Sequence, residues 1–235
     1  MNLRFKKYWR KTSLKNSQDA NFLLNHIYLL KPKIFLEVGV FHGVTSRNVC
    51  ELLHSIHGNK FKFTGIDLFV NDSKKLDEEI APQTKFSNPL KNIYYRYIIK
   101  SDPYSYESVL KLLEKFNDNI NLIKGDSNDI LKKLEISEFD YVFLDGGHKY
   151  ETVKNDLECL KNVIKNNGTI LCDDYNLTYA SGIKKGIDEF ILDNNFNLRI
   201  LNDRFAEITN KSKWLLILSI FYWGVFKYNF RDPFI

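Results

Sequence analysis

Three carboxylates and one imidazole stand where the chain could do chemistry. Asp145 closes the apolar run 139–145 (FDYVFLD), and Asp173 and Asp174 close the run 168–175 (GTILCDDY), 28 and 29 residues later. Such runs read as buried strands, so the acids fall at strand ends, where side chains can meet ligands. Oxygen-only donors with room left for water suit Mg²⁺ or a similar hard cation. A cation of that kind lowers the pKa of a hydroxyl and can hold two vicinal oxygens. His148 lies three residues beyond Asp145, and an imidazole titrates near neutral pH, which makes it a candidate base. Each residue also has a plainer reading. An Asp after a strand often caps the next helix, and a lone His is more often a hydrogen-bonded loop residue. Lys149 reads as solvated, and Tyr150 as the first apolar contact of its helix.

A second set lies nearer the N-terminus. The run 33–40 (KIFLEVGV) leads into Glu37-Val38-Gly39-Val40-Phe41-His42-Gly43, the pattern E-x-G-x-x-x-G. Glycines in such a turn let the backbone approach a ligand at the start of the next helix, although a tight turn uses glycine for its own reasons. His42 sits inside this turn. Asp67 ends the run TGIDLF, and an acid there can accept two hydrogen bonds from a ribose diol. Gly125-Asp126-Ser127 ends a third run, placed to meet an adenine edge. Three such features on successive strand ends are hard to explain as helix caps alone. A nicotinamide oxidoreductase would use the same acid, but the G-x-G-x-x-G fingerprint is absent.

The elements that must carry these residues alternate. Strands are expected at 33–40, 61–69, 120–126, 139–145 and 168–175. Helices are expected at 45–56, 127–134, from Tyr150 to Ile164, and at 183–194, with one more at 17–30 stopped by Pro32. Alternation of this kind implies right-handed crossovers and a mostly parallel sheet covered on both faces. The end breaks the rhythm: 196–208 and 213–220 read as two strands joined by a turn at 209–212. Residues 70–105 hold Pro82, Pro89, Pro103 and the aromatic cluster Tyr94, Tyr95 and Tyr97, and are too long for a plain connector. They are expected to form a lid or insertion.

The order EVGVFHG, TGIDLF, IKGDS, FDYVFLDGGHKYETVKNDLE and GTILCDDY closely resembles the class I S-adenosylmethionine-dependent methyltransferases. Within them it is most similar to the small-molecule O-methyltransferases of the catechol and macrocin-like groups. The resemblance covers roughly residues 33–220. It implies an α/β, Rossmann-like doubly wound sheet of seven strands in the order 3-2-1-4-5-7-6 with strand 7 antiparallel, which accounts for the terminal hairpin. It implies that Glu37, Gly39, Val40 and Gly43 border the methionine part of S-adenosylmethionine, Asp67 the ribose, and Asp126 with Ser127 the adenine. Strands four and five are then neighbours, so Asp145, Asp173 and Asp174 converge beside the cofactor as a Mg²⁺ site. Asp145 and His148 are the catalytic candidates, and Asp145 also borders the cofactor. Catechol-type enzymes have Asp-Asn where this chain has Asp173-Asp174, while the macrocin-like group has the double acid. The latter group also places an acid two residues after the strand-four Asp, where this chain has Gly147. The implied activity is methyl transfer to a hydroxyl of a small molecule, of sugar or glycoconjugate type. The alternatives are a metal-free enzyme using His148 as base, and a hydroxylase-like or non-catalytic relative on the same fold.

Composition narrows the partners. With 235 residues, 44% of them hydrophobic and 27% charged, the chain fits one α/β domain. Residues 1–16 form a basic tail, 17–220 the domain, and 221–235 an apolar tail. The net charge of +5 is concentrated: six Lys and Arg and no acid lie in the first fifteen residues, which leaves the body near neutral. A near-neutral body offers no phosphate track, so nucleic acid is not the expected acceptor. The tail reads as a solvated end, with contact to a membrane surface or acidic partner as the alternative. Three cysteines without C-x-x-C spacing suggest neither disulfides nor a thiolate zinc site, and point to a reducing cytoplasm. Residues 214–226 are uncharged but too few to span a bilayer. They read as a buried strand and apolar tail, with homo-oligomer or interfacial contact as the other reading.

Overall fold

The computed structural model describes residues 4–69, 86–135, 138–178 and 181–210. Helix α1 (Ser17–Leu30) begins where the Asn16 side chain accepts from the Gln18 N–H, and ends at left-handed Lys31, just before Pro32. Strand β1 (Ile34–Val38) leads through the glycine turn into α2 (Val44–His57) and then β2 (Lys62–Asp67). Helix α3 (Pro89–Ile93) runs on into a wider π-type turn, Tyr94–Ile99, and is followed by α4 (Tyr106–Leu113). The order continues with β3 (Ile120–Lys124), α5 (Ser127–Leu131), β4 (Phe139–Leu144), α6 (Tyr150–Val163) and β5 (Ile164–Cys172). Helix α7 (Ser181–Asp193) precedes the hairpin of β6 (Phe196–Leu201) and β7 (Phe205–Asn210).

The sheet order is β3-β2-β1-β4-β5-β7-β6, with β1 to β5 parallel and β7 antiparallel to both its neighbours. Because helices cover both faces, the inner strands are apolar almost throughout. Phe35, Phe63 and Tyr141 stack across three strands on the face covered by α1 and α2. Leu36, Val142 and Leu144 lie on the opposite face with α6 and α7. One polar chain ties the first helix to the last strand: His26 bonds the Tyr141 hydroxyl at 2.8 Å and Glu207 at 2.9 Å.

Three expectations are corrected. The hairpin turn is not at 209–212 but at Asn202–Arg204, and β7 comprises residues 205–210; the expected strand at 213–220 lies outside the described residues, as does the uncharged stretch 214–226. Asn202 and Asp203 both adopt positive φ, 53° and 52°, which these residue types tolerate better than most. The turn therefore forms there, although the apolar pattern runs on past it.

Within 70–105, residues 70–85 lie outside the described residues, but 86–105 are folded against the body, with Phe86, Tyr95 and Tyr104 buried. The basic N-terminal stretch is not a solvated end. Leu14 is fully buried in the main core, and the buried Asn48 side chain holds Lys6 through both its backbone N–H and its carbonyl. Arg10 donates to the carbonyls of His42, Pro103 and Ser108 and to the Ser108 hydroxyl, at 2.7 to 3.2 Å. A single guanidinium thus joins the N-terminal strap to the glycine turn and to the segment before α4. Truncating a buried Leu typically costs about 2–5 kcal/mol. Leu14→Ala is expected to lower stability by that order, read as a shift of the urea midpoint at constant slope. An unchanged midpoint would show the strap undocked in solution.

Candidate active site

The site forms where the chain leaves the C-terminal ends of β1 and β4. These strands are adjacent, with Val38 opposite Leu144, yet their connections run to opposite sides of the sheet order. Open α/β sheets bind ligands at such a switch point. Gly39, at φ +92°, comes so close to β4 that a Cβ on it would lie 2.0 Å from the Asp145 carbonyl oxygen. Gly43, at φ +72°, starts α2 under the Val109 side chain.

Two clefts share this edge, and Asp145 lines both. One is bounded by Lys11–Ser13 of the strap and by Gly39–His42, Val44 and Thr45. The other is bounded by Asp145–His148, Asp173, Asp174 and Ile183. The Ser13 hydroxyl donates to Asp145 Oδ2 at 2.6 Å.

On β1, just before the glycine turn that lines the first cleft, Glu37 is fully buried and accepts a hydrogen bond from Ser46 through one oxygen. Its other oxygen has no partner among the described residues. Burial, with a smaller effect from Asp67, pushes the Glu37 carboxyl up to about 8. A cation brought beside that oxygen would reverse the shift, so the residue fits a ligand carrying an ammonium group. Asp67 accepts from the Phe41 N–H at 2.8 Å, the Phe69 N–H at 2.7 Å and the Tyr104 hydroxyl at 2.9 Å. Burial raises its pKa against those three donors. His42 is buried, and neither ring nitrogen has a partner among the described residues. Burial, with Arg10 and Lys11 nearby, holds its pKa down at about 3, so the ring is neutral. It packs on Phe41, Phe86 and Tyr104. At the end of β3, Asp126 is exposed and caps α5, accepting from the Asn128 N–H at 2.9 Å, while Ser127 donates to Asp156 at 3.1 Å.

In the second cleft, Asp145, Asp173 and Asp174 each offer an oxygen within 4.8 Å of the others. Burial and the other two carboxylates push Asp145 well above the usual carboxylate range. Burial likewise raises Asp173, to about 6, against the pull of Arg204. Arg204 donates to both oxygens of Asp173, at 2.5 and 2.7 Å, lies 3.0 Å from Asp174 and reaches Asp19 at 3.5 Å. Those bonds hold its own pKa up. His148 Nε2 stands 3.7 Å from Asp174 Oδ2. The donor set is that of a hard divalent cation, but such an ion would share these carboxylates with Arg204.

Sequence reasoning anticipated the acids and the glycine turn. It missed Arg204, Ser13, Tyr104 and the strap. Arg204 sits in a turn that the apolar pattern concealed, and Ser13 lies in a segment whose charge suggested solvent.

The fold and the site define the class: a doubly wound α/β sheet of the methyltransferase type, with its cleft at the β1/β4 switch point. The chain belongs to the methyltransferase-domain family whose model matches residues 36–175, from within β1 to just past Asp173 and Asp174. It is a methyltransferase. Solved structures with the same fold include the S-adenosylhomocysteine-bound methyltransferase PaMTH1 of Podospora anserina. That match has a TM-score of 0.56 at 16% identity and covers 84% of this chain and 80% of that one. The O-methyltransferase NovP matches with a TM-score of 0.57 at 16% identity over 80% and 79% of the two chains. The apo TDP-rhamnose 3'-O-methyltransferase CalS11 matches with a TM-score of 0.54 at 16% identity over 83% and 80%. No curated protein sequence matches the chain.

Breaking a buried ion pair by removing one partner typically costs about 3–5 kcal/mol. Arg204→Met is expected to cost stability of that order at pH 8, where Asp173 is ionised. The sign follows from the raised pKa values: below about 6 Asp173 takes up a proton, so the gap to wild type should narrow as pH falls. Thermal melts from pH 8 to pH 5 read this directly, and a gap independent of pH would show that Arg204 does not serve as counter-ion.

Proposed function

We propose that the chain transfers a methyl group from S-adenosylmethionine to a hydroxyl of a small molecule, of sugar or glycoconjugate type, with a divalent cation assisting at Asp145, Asp173 and Asp174. The observation that carries this reading is the position of Asp145 on the wall of both clefts. A methyl donor in the first cleft would adjoin an acceptor at the acids. The bound groups would supply a methyl already activated on a sulfonium and a charge that lowers the hydroxyl's pKa.

The protein's share is alignment and proton removal. Glu37 presents a buried carboxylate oxygen to the cationic amino-acid end of the donor. Gly39 and Val40 keep the backbone low beneath it. Asp67 would hold the ribose diol in place of the Tyr104 hydroxyl it now accepts from, and Asp126 with Ser127 would border the adenine. His148 receives the acceptor's proton, and Asp174 beside it stabilises the resulting imidazolium. The sugar-acting relative CalS11 supports the acceptor class.

A second reading is favoured by Arg204's hold on Asp173 and Asp174. In it the guanidinium is the cluster's cation, no metal is required, and His148 is the base. Chelator separates the two. On the first reading, activity falls in chelator and Mg²⁺ or Mn²⁺ restores it, while Asp173→Asn abolishes cation-dependent stabilisation. On the second, activity persists in chelator. On both, His148→Ala should lower turnover by about 10²–10⁴-fold, and full turnover without the imidazole would remove it from the mechanism.

Cofactor binding has its own signature. With Glu37 held up to about 8 in the free protein, the ammonium of S-adenosylmethionine should ionise it. Calorimetry at pH 7 in buffers of different ionisation enthalpy should then show close to one proton released, and none in Glu37→Gln. Binding without proton release in wild type would place the ammonium elsewhere, and tighter binding of NAD would overturn the donor assignment.

A further inference from the structure

Two segments far apart in sequence form one face of the molecule. Residues 4–15 and 86–101 together carry nine Lys and Arg and no Asp or Glu of their own; of the nine, Arg10 is taken up by backbone carbonyls and Lys6 pairs with Glu51. The two segments pack on each other: the Trp9 ring meets Tyr94 edge-on at 5.6 Å, and Lys91 Nζ lies 5.8 Å from the Trp9 ring centre. On the helical stretch 89–99, Tyr95 turns inward and is buried. Leu90, Ile93 and Tyr97, three and four residues apart, fall on the side away from it. Leu90 is 69% exposed, Tyr97 62%, Ile98 68% and Trp9 61%. Arg96 and Lys100 are exposed among them.

We infer that this face docks on an anionic bilayer surface. Large apolar and aromatic side chains held in water beside Lys91, Arg96 and Lys100 are the make-up of an interfacial segment: rings and aliphatic chains enter the headgroup boundary while Lys and Arg meet lipid phosphates. A second copy of this chain is a poor occupant, because a two-fold contact through this face would set its cations against themselves. Nucleic acid would use the cations but not exposed Leu and Ile. No helix of the described residues is long and apolar enough to cross a membrane, so the contact is peripheral. It is independent of which acceptor is methylated.

The test is co-sedimentation of the full chain with vesicles of phosphatidylcholine alone and of equimolar phosphatidylcholine and phosphatidylglycerol, alongside two surface variants. Wild type should bind only the anionic vesicles, and added salt should release it. The variant Arg96→Glu/Lys100→Glu should lose about tenfold or more in affinity. Leu90→Ser/Ile98→Ser should also weaken binding. All four positions are exposed, so both variants should keep the wild-type melting temperature. Equal binding to both vesicle types would overturn the inference. So would wild-type affinity in both variants, which would assign binding to another part of the chain. Absence of binding, or a wild-type dimer that the variants dissociate, would overturn it as well.

Discussion

The close approach of Gly39 to the Asp145 carbonyl is the constraint on which the site depends. Two adjacent parallel strands must end side by side while their connections depart in opposite directions, and only a residue without a Cβ fits between them. The crevice is a product of strand order. Because β2 and β3 lie to one side of β1 and β4 and β5 to the other, the loops diverge and leave the strand ends uncovered. Asp67, Asp145 and the pair Asp173-Asp174 then lie along one rim, though 107 positions separate the first from the last acid by their numbers.

That rim concentrates negative charge in a poorly hydrated place, and the structure answers with different devices. Arg204 offsets Asp173 and Asp174 directly. Ser13 and the backbone N–H groups of Phe41 and Phe69 supply hydrogen bonds. Glu37 is left with one oxygen unanswered, and its pKa rises in consequence. Carboxyls so held respond to an incoming cation more than solvated ones would, because burial removes the water that would otherwise compensate. His42 illustrates the opposite case: placed near Arg10 and Lys11 and away from water, it stays neutral.

The strap lines the first cleft, and Phe86 and Tyr104 pack on His42 beside it. Arg10 is the joint between them, and its four hydrogen bonds are made to partners 32 to 98 residues away. Trp9 and Lys91 continue the contact outward to the basic, apolar surface. One guanidinium therefore ties the strap beside the first cleft to the segment that follows residues 86–101.

The sequence by itself determined the alternation of elements, the sheet order implied by its motifs, and the acids at the strand ends. Period-2 and period-3.6 apolar patterns and glycine spacing are local signals, and short-range sterics obey them. It also marked Asp67 and Asp145 as acids at strand ends, since a polar residue closing a buried apolar run stands out from the pattern. Tertiary structure alone decided that the basic N-terminus is a strap, because its docking rests on Leu14 finding a core built by distant elements. It alone placed the hairpin turn at Asn202–Arg204, where local backbone preference overrode an apolar pattern that ran on. It alone set Arg204 on Asp173 and Asp174. A charge–charge contact between residues 31 apart leaves no periodicity in a sequence; it exists only once β5 and β7 lie side by side and burial makes the pairing necessary.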